Sequence, residues 1–242
     1  FTMKDEYPVP ATMPKNGIAY QYFVIDTNFT EDKWVERAEA RAGATEVVHH
    51  IIAFIVPPRN SAEPIPAGPP LLPPFIPESK KATVLCGTAP GDMPTILRPG
   101  YAKKVPKGAK IVLQLHYTPN GKPYKDRSQI GLIFTKEPPT HQVITVPILE
   151  FRFAIPEKAG HHRVESRGPY DFDKGPMGFQ QDVEILSFMP HMHLRGKDFF
   201  VEAIYPDGTI EPLLSIPRFN FNWQTSYRFE VPKKLPKGTV LH

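Results

Sequence analysis

Apolar residues recur at every second position through much of this chain. In 110–117, for example, Ile111, Leu113, Leu115 and Tyr117 fall on one side of an extended backbone. Side chains of a strand alternate between its faces, so this period marks strands with one buried face. The same reading predicts strands over 18–26, 47–56, 110–117, 129–134, 142–154, 182–188, 199–205, 226–231 and 239–242. Pro119-Asn120-Gly121 and Pro206-Asp207-Gly208 lie between such segments and read as turns. One short helix, a turn or two long, is expected over 32–41. Many short strands with turn punctuation predict an all-β protein of antiparallel sandwiches, jelly-roll-like in type.

Composition sharpens this reading. Of 242 residues, 30 are proline and 16 glycine, and proline is excluded from helix interiors and central strands. Stiff loops between short strands accommodate that excess. The stretch 57–77 holds nine prolines and reads as an extended surface excursion. A domain boundary is expected near 151–160, giving an N-terminal domain over 1–154 and a C-terminal one over 155–242. The last residues, Thr239-Val240-Leu241-His242, look like mid-strand, so the second domain is expected to be truncated and the natural chain to continue.

Charge changes little. The net charge is +4, and lysines such as Lys103, Lys104, Lys107 and Lys110 are scattered, without interleaved aromatics. They read as solvated loop charges and offer no nucleic-acid footprint. No apolar run reaches membrane-spanning length. No signal peptide is visible and the chain begins at Phe1, so a processed or trimmed piece is expected. Cys86 is the one cysteine, which precludes an internal disulfide. It is either a buried small hydrophobe or the partner of a cysteine elsewhere.

The chemistry lies in the histidines. Five of nine fall in three settings: Val48-His49-His50-Ile51, Leu113-Gln114-Leu115-His116-Tyr117 and Pro190-His191-Met192-His193. On a strand, His191 and His193 would project together and could share a metal ion, although a polar strand face would carry the same pattern. His49 and His50 should diverge. They could share an ion if a bulge re-aims one, or if one ring binds through Nδ1 and the other through Nε2. Otherwise one is a core histidine and the other a surface one. His116 alone would be a satisfied core histidine, and Gln114 on its face could orient it. His141, His161, His162 and His242 read as loop or strand-end residues.

Taken in order, an adjacent His pair, a later strand His and an H-x-H followed by Gly196 resemble the copper type II, ascorbate-dependent monooxygenases. That family includes the peptidylglycine α-hydroxylating and dopamine β-monooxygenase types. Leu113-Gln114-Leu115-His116-Tyr117 and Phe221-Asn222-Trp223-Gln224 look closer still to its bacterial relatives. The resemblance runs from about Ile18 to the end. It implies that His49, His50 and His116 hold an electron-supplying copper. It also implies that His191 and His193 hold an oxygen-binding copper with a later methionine as third ligand. It implies hydroxylation of a C–H bond in a small organic or peptide-like substrate, using O₂ and an external reductant such as ascorbate. The electrons could also come from a donor protein or a fused redox domain. A periplasmic or secreted location follows from the same resemblance. The sequence departs from the pattern in one respect: no methionine follows His193, and Met93, Met177, Met189 and Met192 all precede it. The ligand is therefore expected beyond His242.

Ligand chemistry points the same way. Imidazole suits copper in both oxidation states. A zinc hydrolase would present H-E-x-x-H or a nearby carboxylate base, and neither motif is present. A blue-copper site needs a cysteine beside histidines, and Cys86 has none nearby. An iron site of two histidines and a carboxylate would have to use Asp198, on the opposite face if the strand continues. Two other readings stay open: a non-catalytic copper-binding or electron-transfer module, and a plain β-sandwich interaction domain.

Overall fold

A computed structural model describes residues 1–15, 17–58, 82–89, 91, 93–150, 153–171 and 175–242. Residues 59–77 of the proline-rich stretch lie outside them. All regular structure among the described residues is strand, and the chain forms two compact units, Phe1–Thr145 and Val146–His242.

In the first unit the strands are β1 (Tyr7–Val9), β2 (Gln21–Asp26), β3 (Lys33–Arg41), β4 (Val48–Val56), β5 (Thr83–Thr88) and β6 (Thr95–Ile96). They continue with β7 (Tyr101–Val105), β8 (Lys110–Tyr117), β9 (Tyr124–Asp126), β10 (Gln129–Phe134) and β11 (His141–Gln142). One sheet runs β2-β8-β4-β5 and a second β10-β3-β7-β11, with β6 paired to β3. Their inner faces share one core. Ile51, Ala53 and Ile55 of β4 and Ile111, Leu113, Leu115 and Tyr117 of β8 meet Val35, Ala38 and Ala40 of β3 and Ile130 of β10. This is a β-sandwich, antiparallel except where β11 runs parallel to β7. Cys86 is one of its core residues, 2% exposed.

The second unit holds β12 (Tyr170–Asp171), β13 (Gly175–Pro176), β14 (Val183–Phe188), β15 (Phe199–Ile204), β16 (Ile210–Ile216), β17 (Tyr227–Leu235) and β18 (Val240–Leu241). The pair β14-β17 and the three-stranded sheet β16-β15-β18 share a smaller cluster around Ala203, Leu235 and Leu241. The expected turn at Pro206-Asp207-Gly208 joins β15 to β16. Gly208 takes φ +85° there, and Asp207 Oδ1 accepts the Thr209 amide at 2.9 Å.

Three sequence expectations need correction. In the expected helix 32–41, Lys33–Arg41 form strand β3 instead. Phe134 pairs Val35 and Ile133 pairs Arg37, so Glu36 is an extra, bulged residue. The bulge puts Val35 and Ala38 on one face at a spacing of three, which imitates a helix. Secondly, among the described residues of the predicted strand 142–154 only Gln142, at the end of β11, lies in a strand. Pro147 offers no amide to a ladder, and Ile144 is 61% exposed. Thirdly, the units divide at Thr145/Val146, earlier than 154/155, because Ile148 already packs in the second cluster.

Lys103 of β7 is 6% exposed, and its ammonium reaches the edge strand of the other sheet. Nζ donates to the Val84 and Leu85 carbonyls at 2.8 and 2.9 Å and to Thr145 Oγ1 at 2.9 Å. The register skips Leu85, so this lysine serves carbonyls at a bulge. Burial pulls its pKa from 10.5 down to about 8. Between those values the unfolded chain holds a proton that the folded chain lacks, so raising the pH favours the fold. Relative to Lys103→Met, the wild type should gain on the order of 3 kcal/mol as pH rises from about 8 to about 10.5. Urea denaturation of both proteins across that range checks this, and a difference that stays flat refutes it.

Candidate metal centre

β4 and β8 are neighbouring antiparallel strands, and their register carries the first constellation. Val48 pairs with Tyr117 and His50 with His116, so His49 is an extra residue in the ladder. Residues directly opposite on two strands share a face. His50 and His116 therefore lie together on the sheet face away from the main core. Val48, before the bulge, packs against that core. Without the bulge, strict alternation would send His49 to the core and leave the pair divergent. With it, His49 joins His50 and His116.

The three rings form a near-equilateral group. Centroids are 5.5 Å apart for His49–His50, 5.4 Å for His49–His116 and 5.0 Å for His50–His116, and the planes are inclined by 64–73°. One nitrogen of each lies within 4.8 Å of the others, and His49 Nδ1 sits 3.2 Å from His50 Nδ1. Two nitrogens each ~2 Å from one ion at a tetrahedral angle would be ~3.3 Å apart. Among the described residues no other group of three ligating side chains is this close. Burial lowers the His49 pKa, which favours the neutral ring that a metal needs. Tyr20 lies against two of the rings, 5.6 Å from His50 and 5.2 Å from His116. Gln114, expected to orient His116, donates its amide nitrogen to Tyr22 Oη at 2.6 Å.

His191 and His193 follow the end of β14, outside any strand, and both are exposed. Their ring centroids are 5.1 Å apart. The structure thus brings this pair together as well. Gly196 closes the turn, its amide donating to the His193 carbonyl at 2.8 Å. A side chain there would collide with Met192 and Phe219, at 2.7 and 2.9 Å, so the glycine is required by space.

Sequence reasoning missed the role of Gln224. Its side chain is 3% exposed, and its Nε2 donates to the Phe221 carbonyl at 2.7 Å. A carbonyl only accepts, so the amide oxygen is the atom that faces His191 Nδ1, with which it hydrogen-bonds. His191 must then carry its proton on Nδ1, leaving the Nε2 lone pair for a metal. The motif around Gln224 stands out in the sequence, but no spacing rule ties residue 224 to residue 191. Gln224 also lines a small pocket with Pro190, Arg218, Phe219, Trp223 and Tyr227.

No family model matches this chain, and no curated protein does.

Three of the other four histidines have ordinary surroundings. His141 stacks on Tyr101 with centroids 4.4 Å apart. His161 lies 3.6 Å from Asp198, and His242 Nδ1 lies 3.0 Å from Glu202. Asp198 does not complete a group of three ligating side chains with the H-x-H pair. Met189 and Met93 are exposed. Arg195 donates to the Ala159 carbonyl at 3.2 Å.

Proposed function

We propose that this protein is a copper-dependent monooxygenase that hydroxylates a C–H bond of a small organic or peptide-like substrate. The observation that carries this reading is the bulge at His49, which turns an adjacent histidine pair and a cross-strand partner into a three-imidazole set. An all-nitrogen set with no carboxylate suits copper, and so does the exposed His191/His193 pair, which leaves coordination positions open. His49, His50 and His116 would hold one ion, and His191 and His193 the other. Copper at these centres would supply one-electron chemistry with O₂, fed by ascorbate or a protein donor.

The chain's own residues perform the rest. The sheet fixes His50 and His116 opposite one another, which would hold both rings in place around a bound ion. Gln224 keeps the His191 proton on Nδ1. The aromatic pocket walled by Gln224 and Trp223 could shelter part of a substrate from water.

A second reading has support from the ligand count. Among the described residues, no third histidine, cysteine or carboxylate joins His191 and His193. A non-catalytic copper-binding or electron-transfer module would need only the first centre. Turnover separates the two readings. Copper-loaded protein, ascorbate and isotopically heavy O₂ are mixed with a panel of small amides and aromatic amines, and products are read by mass spectrometry. Heavy oxygen in a hydroxylated product supports the monooxygenase. Bound copper without such a product supports the module.

The glutamine makes a further prediction. Gln224→Leu should weaken copper binding at the second centre by about 10–100-fold while sparing the first. Gln224→Glu keeps an acceptor for Nδ1 but loses the bond to the Phe221 carbonyl, so its affinity should fall between those of the wild type and Gln224→Leu. Competition with a chelator of known affinity measures both. Equal affinity in all three proteins would rule the role out.

A further inference from the structure

We infer that Asp126, which touches none of the imidazoles, is the positioning residue that holds the His49/His50/His116 set in register. This rests on the reading of that set as a metal centre. Asp126 closes β9 and is fully buried, as are Tyr117 and Ser128. Its carboxylate receives donors from three segments. Ala44 N reaches Oδ1 at 2.8 Å and Tyr117 Oη reaches Oδ2 at 2.8 Å. Ser128 Oγ lies 2.8 Å from Oδ2 and 3.1 Å from Oδ1.

Two of those segments lead directly into the centre. Tyr117 is the residue after His116. Ala44 begins the turn that enters β4, where the Val47 and Val48 amides both donate to the Ala44 carbonyl, at 3.2 and 3.1 Å. The Val47 carbonyl in turn accepts the Thr118 amide at 2.7 Å. One carboxylate therefore ties the strand end bearing His116 to the turn that delivers His49. A bulge interrupts the ladder where it occurs, so the backbone there needs fixing from outside the sheet. Gly43 permits the approach: a Cβ at that position would lie 2.7 Å from the Arg127 backbone nitrogen. A buried carboxylate is costly unless its oxygens are satisfied, so carboxylate and donors hold each other in place.

The test uses the full chain and Cu(II) as the probe. Asp126→Asn keeps the shape but removes the charge and one acceptor. Tyr117→Phe removes only the link to β8. Ile55→Val trims the same core away from this network, as a control for general destabilisation. Affinity at the first centre is measured by chelator competition, the ligand field by electron paramagnetic resonance, and stability by thermal unfolding. Asp126→Asn should bind copper at that centre at least about tenfold more weakly, with a shifted copper spectrum and an unchanged second centre. Tyr117→Phe should show a smaller loss, and it carries the test if Asp126→Asn does not fold. Ile55→Val should lose stability only. Wild-type affinity and spectrum in Tyr117→Phe and Asp126→Asn would overturn the inference, and so would an equal affinity loss in Ile55→Val. A wild-type chain that binds no copper through the three histidines would instead remove the metal-centre reading on which the inference rests.

Discussion

On the proposed two-copper reading, replacing His116 with alanine should remove one of the two ions and leave the fold intact. The ring is one of three at mutual centroid distances of 5.0–5.5 Å, so its loss leaves an adjacent pair without the cross-strand ligand. Affinity at that centre should fall by more than the roughly 10–100-fold typical for losing an outer-shell partner, because a direct ligand is gone. The stability cost should stay within about 1 kcal/mol, since the half-buried His116 faces away from the main core while Leu115 and Tyr117 keep their packing. Copper analysis after dialysis, together with thermal unfolding, checks both parts. Retention of two ions by the variant would show that His116 is not a ligand.

The second large effect concerns the H-x-H pair. Replacing His191 and His193 together with alanine should remove the other ion and take hydroxylation to background, while the first centre stays loaded. The reason is that the two ligand sets belong to separate compact units with separate cores. Both rings are exposed, so their removal uncovers no core. Copper content and product formation are measured on the same preparation. Loss of both ions from a folded variant would contradict two independent centres, and undiminished hydroxylation would move the chemistry elsewhere.

Much of the fold was legible from alternation alone. Strands β8 and β10 match their predicted limits: β10 alternates in burial, and β8 sets Ile111, Leu113, Leu115 and Tyr117 on its core face. Two elements that escaped share a cause. A β-bulge adds one residue to a strand and reverses the facing of everything beyond it. At Glu36 this disguised β3 as a helix. At Leu213, which the register between Val201–Leu214 and Glu202–Pro212 skips, it broke the alternation of β16. β7 was hidden differently. Lys103 is buried through its bonds to backbone carbonyls, so a core position reads as polar. The metal centre follows the same logic. The residue types and their order pointed to His49, His50 and His116, but whether the adjacent pair could converge turned on one bulge at His49. The contribution of Gln224 depends on a loop folding back over 33 residues, and no local pattern encodes that.

The most direct test of the three-histidine centre is an electron paramagnetic resonance titration of the metal-free chain with Cu(II). It is run beside a variant in which His49, His50 and His116 are all alanine. A centre built from these rings gives a signal with couplings to several imidazole nitrogens, saturating at two ions per wild-type chain and at one in the variant. A wild-type chain that takes up no stoichiometric copper, or a variant whose signal and saturation match the wild type, would contradict it.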